Sequence, residues 1–310
     1  MNKNFYKLYL EYLDFINMKL KPQSVKKIES RFDLYILPYF KTKNIDDIST
    51  KDYLEWQMKI DKKKLKCSYK ETLHYAFSGF YSYLGLFYNI VPNIPKVVGN
   101  FKNDNIPEEM NFWTFQEFTQ FINSFDEKDF VFKAYFIFLF NTGVREGEAL
   151  ALKFDDIRNN DVFICKTISK EYYNGARIVT TPKSHDSIRH LKLDNYTIDV
   201  INKLKKTYKK VFGKNFNDNF YLFGGNRPLA VTTIKRKKDH YVNISGVKNI
   251  RIHDFRHSHA TFLLKKNVPI VEISRRLGHS DINMTIKTYS HLKNEYELET
   301  LNVFNSIYKC

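Results

Sequence analysis

HDFRHSHATFLLKKNVPIVEISRRLGHSDINMTIKTY, residues 253–289, is the stretch on which the reading of this chain turns. Its apolar segments, Ala260–Leu264 and Val268–Leu277, carry hydrophobic side chains at helical spacing, so each predicts a helix with one buried face. Gly278 marks a helix stop or turn between them and a further helical pattern. Among the polar residues are His253, Arg256, His279 and Tyr289: two imidazoles, a guanidinium and a phenol, all groups that grip a phosphate. Residue types alone leave three readings open: an active site, a basic helical surface, and a zinc helix, because His253 and His257 have two-histidine metal spacing. The zinc reading finds Asp254 where the metalloprotease pattern has Glu, and no obvious third ligand. That makes the zinc reading the weakest of the three; no metal and no cofactor are expected.

Charge narrows the partners. The chain has 310 residues, a formal net charge of +16 and a hydrophobic fraction of 43%. That is enough for two domains, each with its own core. So basic a protein usually faces a polyanion, either nucleic acid or an anionic membrane surface, unless its lysines serve solubility alone. No apolar run reaches transmembrane length, and MNKNFYKLYLEYLDF at the start lacks a signal-peptide core. Cys67, Cys165 and Cys310 are far apart and odd in number, so neither a disulfide framework nor a zinc spacing is present. A cytoplasmic, reducing setting is expected.

Taken in order, the pattern predicts a helix over 3–18 and a second opening at Pro22 and running to Pro38. Ser49, Thr50 and Asp52 supply caps for a third, and a fourth runs from about Tyr69 to Phe87. Lys62, Lys63, Lys64 and Lys66 fall between the last two, either as a solvated loop or as phosphate contacts. Pro92, Pro95, Gly99 and Pro107 give the composition of an interdomain linker. Beyond it, Thr114 and Glu117 make a capping-box spacing, and the apolar Phe130–Phe140 helix ends at Asn141-Thr142-Gly143. Three short strands are expected around Phe163–Ile168, Ala176–Val179 and Arg189–Leu193, the first two joined by a hairpin at Asn174-Gly175. Helices at Asp194–Val211, Thr232–Tyr241 and Glu295–Ile307 complete the reading. The expected domains are a helical one over 1–92, a linker over 93–110, and an α+β domain over 111–310. The fold class is mainly α with a small antiparallel β-sheet.

Two further pieces of chemistry lie upstream. In TGVREGEAL, residues 142–150, Arg145 and Glu148 stand one helical turn apart, so the carboxylate can orient the guanidinium or merely decorate a surface. In Thr181-Pro182-Lys183-Ser184 a lysine sits on a tight turn, with His185 beside it as a DNA contact or a solvated side chain. Asp155-Asp156 reads as a helix-to-strand turn rather than a chelating pair. Together, TGVREGEAL, HDFRHSHAT and LGHSDINMTIKTY resemble the tyrosine recombinases, the phage-integrase family of site-specific DNA recombinases. The resemblance covers the whole of the second domain, in the order Arg145, Lys183, His253, Arg256, His279, Tyr289. The N-terminal helices resemble that family's SAM-like core-binding domain by size and pattern.

What the resemblance implies is specific. Tyr289 would be the nucleophile, ahead of Tyr172, Tyr173 and Tyr241, and would form a 3′-phosphotyrosyl intermediate with a free 5′-hydroxyl, without ATP. A phenol near pKa 10 needs help to lose its proton. Arg145 and Arg256 would clamp the non-bridging oxygens, His253 would bond the phosphate and take or relay the phenol proton, and His279 would donate again. Lys183 would be the general acid and Glu148 a support. His257 and His259 are expected to pack the helix or touch phosphate. The family implies two domains closing as a C-shaped clamp on double-stranded DNA, and a homotetramer on two duplexes. It also implies a C-terminal helix that docks on a neighbouring subunit or on its own domain, and a possible directionality factor. Because the sequence opens on core-binding helices, either only core sites are used or an arm-binding domain precedes this chain. Integration or excision of a mobile element is the expected role, with dimer resolution or type IB topoisomerase activity as alternatives.

Overall fold

Asn4 starts the first helix by accepting from the backbone N–H groups of Tyr6 and Lys7 at 3.0 and 3.3 Å. The computed structural model describes residues 4–102, 110–173, 176–181 and 185–289, without the side chains of 170–173, 176–178 and 185. The chain divides into two units, Met1–Glu108 and Glu109–Cys310.

The first unit is helical: α1 Phe5–Lys19, α2 Pro22–Arg31, α3 Leu37–Phe40, α4 Thr50–Asp61, α5 Cys67–Tyr88 and α6 Ile94–Val98. Phe5, Leu8, Tyr9, Tyr12 and Ile16 fall on one face of α1 and are buried. Pro22 opens α2 as expected, but Pro38 does not end the run. A π-helical turn, Phe32–Ile36, precedes α3 and places Pro38 in the first turn of α3. Ser49 and Asp52 form the capping box of α4. The core is aromatic: Phe5 stacks on Phe40, and Phe77 meets Trp56 edge-on. The expected linker needs correction over its first part. Ile94 and Phe101 are buried in this core, and Gln57 Nε2 donates to the Gly99 carbonyl at 2.8 Å. Apolar side chains at those two positions override the Pro- and Gly-rich composition.

The second unit begins with α7 Phe115–Asn123, capped by the Thr114–Glu117 box, and α8 Phe130–Thr142, buried along most of its length. After α9 Glu146–Ala151 come β1 Ile157–Arg158, β2 Asp161–Ile164, β3 Thr167–Tyr173, β4 Ala176–Thr180 and β5 Arg189–Lys192. These make two sheets rather than one. β1-β2-β5 is antiparallel with Val162 opposite Leu191, and β3-β4 is a separate antiparallel ribbon. The additional hairpin turns at Asn159-Asn160, with φ of +49° and +61°, the geometry two-residue hairpins favour. The ribbon packs on α9 because Gly147 has no Cβ, which would lie 2.5 Å from Thr167 Oγ1. The helices α10 Asn195–Phe212, α11 Val231–Ser245, α12 Asp254–Lys265, α13 Ile270–Leu277 and α14 Ile282–Tyr289 follow. Trp113 ties the start of the unit to these helices, its Nε1 donating to the Lys248 carbonyl at 2.7 Å and its backbone N–H to Ser258 Oγ at 2.9 Å. Among the described residues no helix is long and apolar enough to cross a membrane. The Asn174-Gly175 turn, Lys183, Cys310 and the expected Glu295–Ile307 helix lie outside the described residues.

Candidate active site

A corner in the chain builds the site. α8 ends at Gly143, whose φ of +66° and missing Cβ are both required. A Cβ there would stand 2.5 Å from the His259 ring. The Gly143 carbonyl points across to α12 and accepts from Arg256 Nη1 at 2.9 Å. Two residues on, Arg145 occupies the N-cap of α9, rather than lying within the helix as the spacing suggested. The Glu148 carboxylate accepts from its backbone N–H at 3.0 Å and from its Nη1 at 2.8 Å. Arg145 Nη2 reaches the Gly278 carbonyl at 3.4 Å, which brings the end of α13 to the same place.

Glu148 has a second partner that sequence reasoning missed. Arg189, at the start of β5, donates from Nη2 to Glu148 Oε2 at 3.0 Å, from Nε to the Arg276 carbonyl at 2.7 Å, and from Nη1 to the Ser187 carbonyl at 2.9 Å. One buried carboxylate thus stands between two guanidiniums. Burial pushes the Glu148 carboxyl up, but Arg189 and Arg145 outweigh it and hold it below its ordinary range. Arg256 adds a third guanidinium. It is 4% exposed, and its Nη2 has no hydrogen-bond partner among the described residues. Burial first, and then the Arg145 charge, weaken its hold on a proton. Three cations against one anion leave this corner positively charged in a low-dielectric setting, which is a binding place for an anion.

The imidazoles surround it. His253 stands at the N-cap position of α12 without a side-chain cap bond, and its ring meets His257 edge-on at 5.1 Å between centroids. His279 follows the αL residue Gly278, and its Nδ1 lies 2.7 Å from Thr285 Oγ1 on α14. Burial, then Arg256 and Arg145, push His279 down to about 4, so it is neutral at physiological pH. Burial and Arg256 also lower His253. His259 is a packing residue: it is fully buried and its Nδ1 lies 2.7 Å from the Phe140 carbonyl, beneath Gly143. Tyr289, at the end of α14, is 3% exposed among Ala260, Leu264, Ile273 and Leu277. Its hydroxyl lies 3.1 Å from His257 Nδ1. Burial raises this phenol, against a smaller opposing pull from Arg256.

The structure therefore gathers Arg145, Glu148, His253, Arg256, His257, His279 and Tyr289 into one region, and adds Arg189. Lys183 lies outside the described residues, as do the side chains of His185, Tyr172 and Tyr173. Tyr241 is occupied elsewhere, its hydroxyl donating to Asp129 Oδ2 at 2.7 Å. Asp156 belongs to a short turn, where its carboxylate accepts from Lys166 Nζ at 2.8 Å. Lys62, Lys63, Lys64 and Lys66 are exposed in the α4–α5 loop of the first unit, Lys63 lying over the Tyr35 ring.

The chain is 31% identical over 189 residues to the ICEBs1 integrase of Bacillus subtilis (strain 168), covering 60% of this chain and 51% of that protein. It is 28% identical over 166 residues to the integrase of Staphylococcus phage L54a, covering 51% of this chain and 47% of the relative. The chain thus spans about half the length of these curated relatives. Among solved structures it resembles the Tn1549 transposon integrase in complex with a circular intermediate DNA. The TM-score is 0.78 and the identity 17%, over 95% of this chain and 98% of that one, a likeness of fold. The model of the phage integrase N-terminal SAM-like domain matches residues 4–60. With the phage integrase family model matching residues 111–295, more than half of its length, the chain belongs to the phage integrase family.

Proposed function

We propose that this chain is a site-specific DNA recombinase that integrates or excises a mobile element by phosphodiester transesterification, with no metal or nucleotide cofactor. The observation that carries the reading is the uncompensated guanidinium corner, where Arg256 keeps a buried donor free beside Arg145 and within reach of the Tyr289 helix. In this reading Arg145 and Arg256 bind the non-bridging oxygens of the scissile phosphate and stabilise charge building on phosphorus. Removing one such donor costs about 3 kcal/mol of barrier. His253 and His279 donate further bonds. Tyr289 attacks and Lys183 protonates the departing 5′-oxygen. Glu148 holds Arg145 in place and is itself held by Arg189. The names of the relatives, the ICEBs1 integrase, a phage integrase and a transposon integrase, favour mobile-element recombination over dimer resolution.

The reading extends to assembly. The first unit serves as the core-binding domain and the second as the catalytic domain, together holding double-stranded DNA at core sites. Four copies act on two duplexes, the segment after Tyr289 docks between subunits, and a directionality factor is a further partner. The test is incubation with nicked duplexes spanning the ends of the DNA element that encodes this chain. A covalent protein–DNA adduct is expected, and it should vanish in Tyr289→Phe. An adduct that persists in Tyr289→Phe removes that residue from the role. Relaxation of supercoiled plasmid that lacks any such site would assign topoisomerase activity instead.

A further inference from the structure

We infer that His257, rather than His253, is the group that accepts the Tyr289 proton during strand cleavage. This rests on the function proposed above. The geometry is direct: His257 Nδ1 is 3.1 Å from the phenol oxygen, within reach for transfer without a bridging water. The rings of His257 and Tyr289 have centroids 6.1 Å apart, and the His253 ring lies edge-on to His257 on its other contact. The helix explains the placement. His257, Ala260 and Leu264 follow one another at spacings of three and four on α12, and Ala260 and Leu264 help to wall the Tyr289 pocket. His257 is the polar residue that ends that apolar stripe.

The step balances without another reactant. Tyr289 Oη forms a bond to phosphorus as its proton passes to His257 Nδ1. The phosphorus–O5′ bond breaks, and the 5′-oxygen takes a proton from Lys183. Rejoining reverses each transfer. The charges facing His257 set when this can happen. Burial, then His253, Arg256 and Arg251, disfavour its imidazolium, with Asp254 opposing them, and hold it at about 4. Among the described residues, Tyr289 and His279 also face it. In this state the neutral imidazole, as the tautomer with its proton on Nε2, can accept a hydrogen bond from the phenol, but it is a weak base. A phosphate anion bound at Arg256 offsets the charge part of this shift, though not the larger part due to burial, so proton affinity rises when DNA is docked.

The experiment measures single-turnover adduct formation on the nicked duplexes across pH with His257→Asn. The asparagine oxygen stands near the place of Nδ1 and keeps a hydrogen-bond acceptor, yet cannot hold a proton. Expected is a fall of about 100-fold near neutral pH with DNA binding unchanged. The residual rate should then climb with pH as solvent ionises the phenol, while the unmodified protein stays level. His257→Leu should fall at least as far and show the same climb, and it serves if the asparagine variant folds poorly. A His257→Asn rate close to that of the unmodified protein overturns the inference. So does a reduced rate with an unaltered pH profile, which is the mark of a purely structural role. A pH-dependent recovery seen in His253→Asn instead would move the proton to His253. Persistence of the adduct in Tyr289→Phe would defeat the underlying function rather than this assignment.

Discussion

Replacing Glu148 with glutamine probes the corner most directly, because the carboxylate is the anion that binds two of its three guanidiniums. The Glu148 and Arg189 side chains are 2% and 6% exposed, with Arg145 Nη1 and Arg189 Nη2 at 2.8 and 3.0 Å from the carboxylate. At an effective dielectric near 20 the buried Arg189 pair is worth about 6 kcal/mol of Coulomb attraction, most of it offset by desolvation of the charges, and the more exposed Arg145 pair is worth less. Arg145 is 36% exposed and screened by solvent, so the loss comes mainly from Arg189, which stays buried without its partner, and is about 3 kcal/mol. For a unit of this size that lowers the midpoint of thermal unfolding by about 10 °C. The pH dependence fixes the cause. The folded-state carboxyl is held below its ordinary 4.5, so its stabilisation is complete above that value and is lost as pH falls through the folded value. The gap between Glu148→Gln and the unmodified protein should therefore be full at neutral pH and close in acid. Inorganic sulfate should recover part of the loss, more in the variant than in the unmodified protein, because the remaining cations then face an anion. A midpoint within about 2 °C of the unmodified protein at neutral pH refutes the argument, since it would mean the pair contributes no more than a surface salt bridge.

Gly143→Ala should cost about 2 kcal/mol or more in urea unfolding, from the αL backbone and from a Cβ 2.5 Å from the His259 ring. It should also lower adduct formation by shifting the carbonyl that holds Arg256, and an equally stable variant would contradict this packing. Changing Lys62, Lys63, Lys64 and Lys66 together to glutamine should flatten the salt dependence of DNA binding by about 0.9 in log–log slope for each lysine that pairs with phosphate. An unchanged slope assigns the loop to solvent. Deleting residues 295–310 should weaken assembly on paired DNA sites more than binding to a single site, as gel-shift titration would show. Intact four-copy complexes after the deletion would rule out a docking role.

Helical spacing, caps and breakers are local properties, and they place most helices of both units within a few residues. The Thr114–Glu117 box and the Gly143 stop are read directly from side-chain chemistry. The second sheet is less legible because β1 is two residues long, too short for alternation to show, and its turn is Asn159-Asn160 rather than a glycine pair. Ile94 and Phe101 hide in a stretch whose prolines and glycine point to a linker, since composition averages over the two residues that reach the core. Arg189 did leave a signal. It alternates with Leu191 and Leu193 on the buried face of β5 and its continuation, with exposed His190 and Lys192 between, and a cation in that series implies a buried partner. Alternation cannot say that the partner is Glu148, which lies on another element. The same limit governs the histidines. Motif order singles out His253, but which imidazole meets the phenol depends on α14 folding back over α12 after Gly278, a tertiary event. The 3.1 Å contact to His257 is a property of that packing, which is why residue order points to one histidine and the nearest base is another.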